Sequence, residues 1–330
     1  MTQVLVTGGA GFIGSHVAEA LLREGCRPVI LDDLSGGFRE NVPRGAVFIQ
    51  GSILDEKRLK KLFERHAFRY VFHLAAYAAE GLSHFIKRFN YQNNLIGSVN
   101  LINLSVLHRV RCFVFTSSIA VYGKGRLPMD ERLTPKPEDP YGIAKWAVER
   151  ELEISSTLFG LRYVIFRPHN VYGERQNIAD RYRNVVGIFM NQILQGRPMT
   201  IFGDGRQKRA FSYIGDVAPV IARSVHVRGA QNQVFNIGAD RACTVNHLAG
   251  EVARAFGVKP RIRYLPRREE VPKAYASHRK AERVLGYQPQ VSLAEGLRRM
   301  APWAAKRGAR QSEAFKNIEI PMHLPPLWRP

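Results

Sequence analysis

A strand-like run of apolar residues leads directly into a glycine-rich turn near the start of the chain. Residues 4–7 read Val-Leu-Val-Thr, glycines follow at positions 8, 9, 11 and 14, and apolar residues then recur at helical spacing to Leu22. This order predicts a strand, a tight turn and a helix. Glycines at Gly8, Gly11 and Gly14 permit the turn, a close approach of the backbone to a pyrophosphate, and close packing of the helix on the strand. The first helical amides would face the phosphates.

A carboxylate follows the next predicted strand and specifies the kind of dinucleotide. The strand Val29-Ile30-Leu31 ends in Asp32. In a βαβ unit of this type, a carboxylate at this place accepts hydrogen bonds from the adenosine ribose hydroxyls and repels a 2′-phosphate. The two features together predict that the cofactor is NAD rather than NADP.

Composition excludes several other classes of protein. The chain has 330 residues, 45% of them hydrophobic, which is enough for a full core without disulfides. The three cysteines, Cys26, Cys112 and Cys243, are far apart and lack metal-ligand spacing, so we expect no metal site and a cytoplasmic protein. We also expect no secretion signal and no membrane span. The net charge of +21 comes from scattered basic residues, which favours an anionic substrate over specific nucleic-acid binding.

Alternating strand and helix patterns predict an α/β fold, a doubly wound parallel sheet of the Rossmann type, over residues 1–173. A return to this domain is predicted around residues 213–240. A smaller mixed α/β lobe for the substrate is predicted for residues 174–310, and an extended, proline-rich tail for residues 311–330. Beyond the first βαβ unit, the predicted strands cover 47–50, 70–76, 112–115 and 163–167, and the predicted helices cover 55–67, 92–110 and 141–159.

Three polar side chains are expected to meet at the carboxyl edge of this sheet. Tyr141 and Lys145 are four residues apart at a helix start and so share one face, while Ser118 follows a buried strand. A phenol is a poor base at pH 7, and lowering its pKa by about 3 units takes about 4 kcal/mol. An ammonium about 4 Å away supplies an attraction of that order at an effective dielectric near 20. The spacing therefore suits a tyrosine base tuned by a lysine.

As a set, the motifs resemble those of the extended short-chain dehydrogenase/reductases, specifically the NAD-dependent epimerase/dehydratase family that acts on nucleotide sugars. The resemblance covers residues 3–305 and rests on GGAGFIGSH at 8–16, HLAA at 73–76, TSSxxVYG at 116–123, YxxxK at 141–145 and RPxNVYG at 167–173. It implies that Tyr141 is the general base, that Lys145 tunes it and holds the nicotinamide ribose, and that Ser118 binds the reacting hydroxyl. It further implies cofactor contacts from Gly8, Gly11, Phe12, Ile13, Gly14, Asp32, Ser52, Ile53, Leu74, Ala75, Ala76 and Asn93, the last beside Asn94.

The resemblance also implies a set of substrate contacts in the second lobe. Asn170 and Asn184 match positions near the diphosphate, and Phe202 matches the segment that receives the base. Two arginines, Arg209 and Arg267, match the pair that clamps the diphosphate, a task suited to the bidentate guanidinium fork. The remaining expected contacts are Glu270 and Ala274.

Departures from the family pattern narrow the expected reaction. Members that eliminate water, decarboxylate or epimerise at C3 and C5 carry acidic or cysteine side chains where this chain has Ile119 and Ala120. One base and a reversible hydride transfer remain, which favours 4-epimerisation of a UDP-sugar by an isomerase that uses NAD. Ser52 replaces an aspartate that often meets the adenine. Ala274 replaces a bulky tyrosine, which leaves room for an N-acetyl group.

Other readings stay open on the sequence alone. One is a nucleotide-sugar dehydratase or 4-keto reductase on the same scaffold. Another is a non-catalytic module that binds a dinucleotide or nucleic acid, against which the joint presence of Ser118, Tyr141 and Lys145 argues. The resemblance also implies a homodimer built on the helices near 92–110 and 141–159.

Overall fold

The computed structural model describes residues 1–267 and 271–329. In this part of the chain, fourteen strands are found: β1 (Thr2–Thr7), β2 (Cys26–Asp32), β3 (Val47–Gln50), β4 (Tyr70–His73), β5 (Cys112–Thr116), β6 (Tyr163–Pro168), β7 (Val171–Tyr172), β8 (Met199–Phe202), β9 (Lys208–Ala210), β10 (Ser212–Tyr213), β11 (Gln233–Ile237), β12 (Ala242–Thr244), β13 (Ile262–Leu265) and β14 (Lys273–Ala274).

The described residues also form eleven α-helices. They are α1 (Phe12–Arg23), α2 (Glu56–Arg65), α3 (Glu80–Ser83), α4 (Lys87–Tyr91), α5 (Gly97–Leu107), α6 (Pro140–Phe159), α7 (Val185–Leu194), α8 (Ile214–Arg223), α9 (Val245–Ala255), α10 (Arg279–Leu285) and α11 (Leu293–Arg307).

A parallel sheet with strand order β11-β6-β5-β4-β1-β2-β3 forms the centre of the molecule. The strand order reverses beside β1, which pairs in parallel with both β2 and β4. Alternate residues of β1 belong to different cores: Val4 and Val6 pack with α1 and α8, whereas Leu5 packs with α2 and α5. Both faces of the sheet are therefore covered, as its near-continuous apolar strands require. The predicted doubly wound α/β fold is confirmed.

The chain leaves this sheet after β6 and comes back to it later. β11 pairs with β6 in parallel, and α8 packs against α1. Between and after these elements lie three small sheets, β10-β7, β12-β9-β14 and β13-β8, with α7, α9 and α11 packed beside them. These small sheets stand beyond the carboxyl end of the large sheet's strands, where ligands bind in such folds.

Three segments differ from the sequence-based expectation. The strand predicted for 70–76 ends at His73, because the chain turns so that the Ala75 amide donates to the Thr7 hydroxyl at 3.3 Å. The helix predicted for 92–110 starts earlier, at Lys87, contains a π-helical turn at Gln92–Ile96, and ends at Leu107.

The C-terminal tail is the third difference. The sequence predicts an extended segment, and most of the described tail has neither helix nor strand; what it does not predict is that Leu324 and Trp328 are buried in a small core shared with Leu82 and Tyr182. A 3-10 turn, Pro326–Trp328, ends the described part of the tail. Contacts of its aromatic residues with distant parts of the chain hold this segment in place. A local sequence pattern cannot predict such contacts.

Two further features are missing from the part of the chain that the structure describes. None of its helices has the length and apolar character needed to cross a membrane. No group of three or more His, Cys, Asp or Glu side chains in 1–267 and 271–329 is placed to hold a metal ion.

Candidate active site

The glycine-rich turn packs so tightly that side chains are excluded at two of its positions. Gly8 has φ +70°, and a Cβ there would lie 2.6 Å from the Ala75 amide nitrogen. A Cβ at Gly14 would overlap the Gly8 carbonyl oxygen, so this glycine allows α1 to pack on the end of β1. Gly11 is the N-cap residue of α1 and supplies no side chain to the helical amides that follow, at Phe12 and Ile13. These amides remain available to an anion at the helix start.

Asp32 lies directly beside this turn. Its buried carboxylate accepts hydrogen bonds from the Ala10 amide at 3.0 Å and the Leu34 amide at 2.8 Å. Burial is the largest effect on its pKa and raises it, while the two amide bonds oppose that rise. The carboxylate is thus anchored at the end of β2 next to the phosphate-binding amides, and an adenosine ribose fits this position.

The other expected cofactor contacts surround the same edge. Leu74, Ala75 and Ala76 follow β4 and run past Gly8. Ser52 and Ile53 follow β3, where the Ser52 hydroxyl accepts from the Leu54 amide at 3.2 Å. The residues present therefore form a continuous rim that suits a dinucleotide, and the buried Thr116 hydroxyl has no protein partner among the described residues of this rim.

The two neighbouring asparagines have different surroundings. Asn93 donates to the Phe89 carbonyl of its own helix at 2.9 Å. Asn94 is buried, and its side chain accepts from the Tyr77 amide at 2.8 Å and donates to the Tyr77 carbonyl at 3.1 Å. Asn94 therefore fixes the segment that follows the 74–76 rim, whereas Asn93 serves its own helix in this structure.

Tyr141, Lys145 and Ser118 do come together. Tyr141 and Lys145 lie on the buried face of α6, and the Ser118 hydroxyl is hydrogen-bonded to the Tyr141 side chain. Asp139 is the N-cap of α6 and accepts from the Gly142 amide at 2.9 Å, and Pro140 follows at the helix start. This cap fixes the first turn of α6 and with it the direction of Tyr141.

The electrostatic balance at Tyr141 differs from the sequence-based expectation. Burial is the largest effect and raises the pKa of the phenol, while the hydrogen bond from Ser118 and the charge of Arg183 lower it. The Lys145 ammonium donates to the Thr116 carbonyl at 2.9 Å and lies 5.8 Å from the centre of the Tyr141 ring. The Lys145 ammonium is thus anchored at the end of β5 while it lies over the Tyr141 ring, and its expected lowering of the Tyr141 pKa stays a prediction.

Glu149 supplies the counter-charge beneath Lys145. Burial lowers the pKa of Lys145 to about 7, and the charge of Glu149 opposes this shift. The Glu149 carboxylate is fully buried, accepts two hydrogen bonds from Arg167, at 3.0 Å and 2.5 Å, and one from the Ser117 hydroxyl at 2.5 Å. A buried ion pair therefore lies one helical turn below the candidate catalytic lysine.

Two carboxylates face Tyr141, but neither follows Ser118 in the chain. Asp139 and Glu80 both raise the Tyr141 pKa by their charge. Asp139 is engaged as a helix cap, and burial raises its pKa to about 6. Glu80 is exposed on α3. Positions 119 and 120 hold only apolar groups in the 3-10 turn Ile119–Tyr122.

The expected substrate contacts lie in the loops after β6 and β13, at the start of α7 and at the end of β8. Asn170 donates to the Ala210 carbonyl at 3.1 Å, and Asn184 is the exposed N-cap residue of α7 with φ 63°. Phe202 ends β8, and the exposed Arg267 passes beside Gly203, whose Cβ would lie 3.7 Å from the Arg267 Cγ.

Arg209 and Ala274 are register partners in the β9-β14 pair. The Arg209 guanidinium donates to the main-chain carbonyls of Lys208, Pro272 and Val271, at 2.9, 3.2 and 2.5 Å. In this structure it is therefore held against the segment that leads into β14. Glu270 lies outside the described residues.

Sequence reasoning missed several side chains near this site. Glu149 lies four residues after Lys145 and so shares the face of α6 that carries Tyr141 and Lys145. A charged residue on that buried face could have been recognised from the sequence as part of the site. Ser83 accepts from the Tyr141 amide at 3.3 Å, and Arg183 lies over the Tyr77 ring at 4.9 Å. Neither Ser83 nor Arg183 belongs to a local pattern, because their partners lie far away along the chain.

The reversal of strand order beside β1, the glycine turn and the Ser-Tyr-Lys cluster define a dinucleotide-binding enzyme with a Rossmann-type sheet. Residues 4–238 match the model of the NAD dependent epimerase/dehydratase family. The UDP-glucose 4-epimerase of Mycolicibacterium smegmatis is 35% identical over 89% of this chain and 96% of its own length. The chain belongs to the NAD dependent epimerase/dehydratase family.

Solved structures agree with this assignment. The UDP-glucose 4-epimerase of Thermotoga maritima with UDP-glucose has a TM-score of 0.88 at 37% identity, covering 93% of this chain and 99% of that one. The UDP-glucose 4-epimerase of Thermus thermophilus in complex with NAD has a TM-score of 0.87 at 32% identity, covering 92% and 99%.

The buried ammonium of Lys145 makes stability depend on pH. Its pKa in the folded chain, about 7, is below the usual value of 10.5, so the unfolded chain binds more protons between these limits. The free energy of unfolding contributed by this group therefore rises as pH rises from 7 toward 10. We expect Lys145→Met to remove this rise, measured as urea unfolding of both proteins at pH 7, 8 and 9. Lys60→Met, at an exposed site on α2, is the matched control, and an unchanged slope in Lys145→Met contradicts the prediction.

Proposed function

We propose that the protein is an NAD-dependent 4-epimerase of UDP-sugars that passes through a transient 4-keto sugar. The observation that carries the proposal is the pairing of Tyr141 with Ser118 on a rim that suits NAD, beside a turn that offers only Ile119 and Ala120. Hydride transfer with one base needs nothing further, whereas elimination needs an additional acid and base. The relatives reported above are named UDP-glucose 4-epimerases, which supports the same choice.

In this mechanism Tyr141 accepts the proton of the C4 hydroxyl, which Ser118 orients by hydrogen bonding. The glycine turn and Asp32 would hold NAD, which when bound would supply a hydride acceptor at C4 and, once the 4-keto sugar has rotated in the site, a hydride donor to its other face. The charge of Arg183 favours a phenolate at Tyr141, Lys145 is proposed to do the same from its place over the ring, and the charge of Glu149 favours the protonated form of Lys145. Tyr141 then returns the proton, and the sugar leaves with inverted C4.

A coupled assay of UDP-galactose conversion to UDP-glucose by the purified protein tests the proposal. Conversion without added cofactor is expected, together with NAD released by denaturing the protein. Strict dependence on added NADH would instead support a 4-keto reductase. Loss of water from the sugar would support a dehydratase.

We further propose that the acetylated pair UDP-GlcNAc and UDP-GalNAc is accepted. Ala274 lies at the strand pair β9-β14 and presents a single methyl group where a tyrosine would fill the space. Wild-type enzyme is expected to convert both pairs, and Ala274→Tyr to lose at least about tenfold more in kcat/KM for the acetylated pair than for UDP-glucose and UDP-galactose. Progress curves with the four sugars measure this, and absence of wild-type turnover with UDP-GlcNAc would disprove it.

We propose a homodimer in which α5 and α6 pair with their copies. Both helices expose large apolar side chains, among them Leu107 at 74%, Leu158 at 67% and Phe159 at 64% exposure. Exposed large apolar side chains on both helices are the feature expected of such an interface. Sedimentation equilibrium of the purified protein measures its mass in solution, and a monomer mass would contradict the dimer.

We also propose a cytoplasmic location, which agrees with the free cysteines Cys26, Cys112 and Cys243.

A further inference from the structure

The C-terminal tail lies between the segment around α3 and the lobe that carries Phe202. Its indole, Trp328, is 3% exposed. On one side, Gly81 approaches so closely that a Cβ there would lie 2.9 Å from the ring, and Phe85 packs at a centroid distance of 6.4 Å. On the other side, Tyr182 packs at 5.5 Å and Phe202 at 6.4 Å. One side chain thus joins α3 and its neighbours to the lobe that carries Phe202.

The tail is fastened at both of its ends by one guanidinium. Arg181 donates to the Ser312 carbonyl at 2.5 Å and the Ser312 hydroxyl at 3.1 Å, and also to the Leu327 carbonyl at 3.3 Å. In the middle, the Glu319 carboxylate accepts from the first amides of α4, those of Arg88 and Phe89, at 2.8 and 2.9 Å. The tail is therefore anchored to α4 through Glu319 and to the second lobe through Arg181.

The anchoring segments lead directly to the candidate catalytic residues. Arg181 and Tyr182 hold the tail, and Arg183, next in the chain, carries the charge that faces Tyr141. On the other side, Ser83, two residues after Gly81 on the same short helix, accepts from the Tyr141 amide at 3.3 Å. Each of these two residues, Arg183 and Ser83, also has a partner within its own segment, so we expect its contact with Tyr141 to persist without Trp328.

We propose that Trp328 is a positioning residue for nucleotide-sugar binding, which acts by holding Phe202 and the 181–183 segment against α3. This inference rests on the proposed function, because Phe202 was assigned to the base through the family resemblance. Trp328 touches Phe202 without taking part in proton or hydride transfer. Its loss therefore weakens binding of the nucleotide and leaves the chemical step intact.

The test is Trp328→Ala, with Trp328→Phe as the conservative variant and Met322→Ala, 69% exposed in the same tail, as the matched control. Trp328→Ala is expected to raise the KM for UDP-galactose and the Kd for UDP about tenfold, with kcat and bound NAD unchanged. Trp328→Phe should recover most of the affinity, since a smaller ring still meets Tyr182. Met322→Ala should match wild type.

Two results would overturn the proposal: unchanged KM and Kd in Trp328→Ala, or improved values, which would mean that the tail inhibits binding. If Trp328→Ala does not fold, trypsin cleavage of wild type after the exposed Lys316 decides instead. Cleavage should slow when UDP is added to the NAD-loaded enzyme, and an unchanged rate refutes the proposal. Wild-type protein that neither binds UDP nor turns over UDP-sugars would refute the proposed function itself, which separates the two failures.

Discussion

Tyr141→Phe is expected to lower kcat by about 10²- to 10⁴-fold, the contribution typical of a general base. The variant keeps the buried ring but loses the hydroxyl that is hydrogen-bonded to Ser118. Binding of UDP should change little, because the ring still fills its place on α6. The measurements are single-turnover conversion of UDP-galactose and titration with UDP.

Tyr163→Phe is the matched control, since Tyr163 is also buried but belongs to β6 in the apolar core. Full activity in Tyr141→Phe would exclude this tyrosine as the base. A loss shared equally by both variants would point to a general effect on folding.

Glu149→Gln should destabilise the fold by about 3–5 kcal/mol, because it leaves the Arg167 guanidinium buried without its counter-charge. Glu149 and Arg167 are 0% and 3% exposed, so water cannot compensate for the loss. The same substitution removes the charge that keeps the pKa of Lys145 from falling further. Urea unfolding at pH 7 measures the first effect, and a decline of activity that starts at lower pH reports the second.

The same helix offers a control at its exposed face. Glu153 pairs with Arg150, and both side chains are partly exposed, at 30% and 51%. Glu153→Gln should cost less than about 1 kcal/mol, as exposed ion pairs do. Equal losses in the two variants would contradict the importance given to burial.

The sheet and the positions of the candidate catalytic side chains were predictable because their signals are local. Strands β1, β4 and β5 are runs of apolar residues flanked by glycine or polar residues, and Tyr141 and Lys145 are one helical turn apart. The electrostatics were not predictable. Spacing placed Lys145 near Tyr141, but the hydrogen bond of its ammonium to the Thr116 carbonyl becomes visible only when β5 and α6 are packed together.

The segment at 77–96 and the tail escaped prediction for a different reason. The π-helical turn at Gln92–Ile96 leaves the apolar spacing of a helix recognisable, so the helix was predicted, but with its start too late and its end three residues too far along the chain. The tail depends on Arg181 and Glu319, whose partners are up to 231 residues distant in the chain. The proline content predicts an extended chain. The place where that chain is bound depends on residues that come close to it only in the folded protein.

The register of β9 with β14 has a practical meaning for anyone redesigning this enzyme. Position 274, proposed to set the room for the sugar, is paired with Arg209, and Arg209 is held by the carbonyls just before that strand. A larger residue at 274 will therefore shift the arginine proposed to grip the diphosphate. A substitution that changes selectivity for the sugar will therefore also change affinity for the UDP part of the substrate. Directed evolution should vary positions 209, 271 and 274 together in a single library.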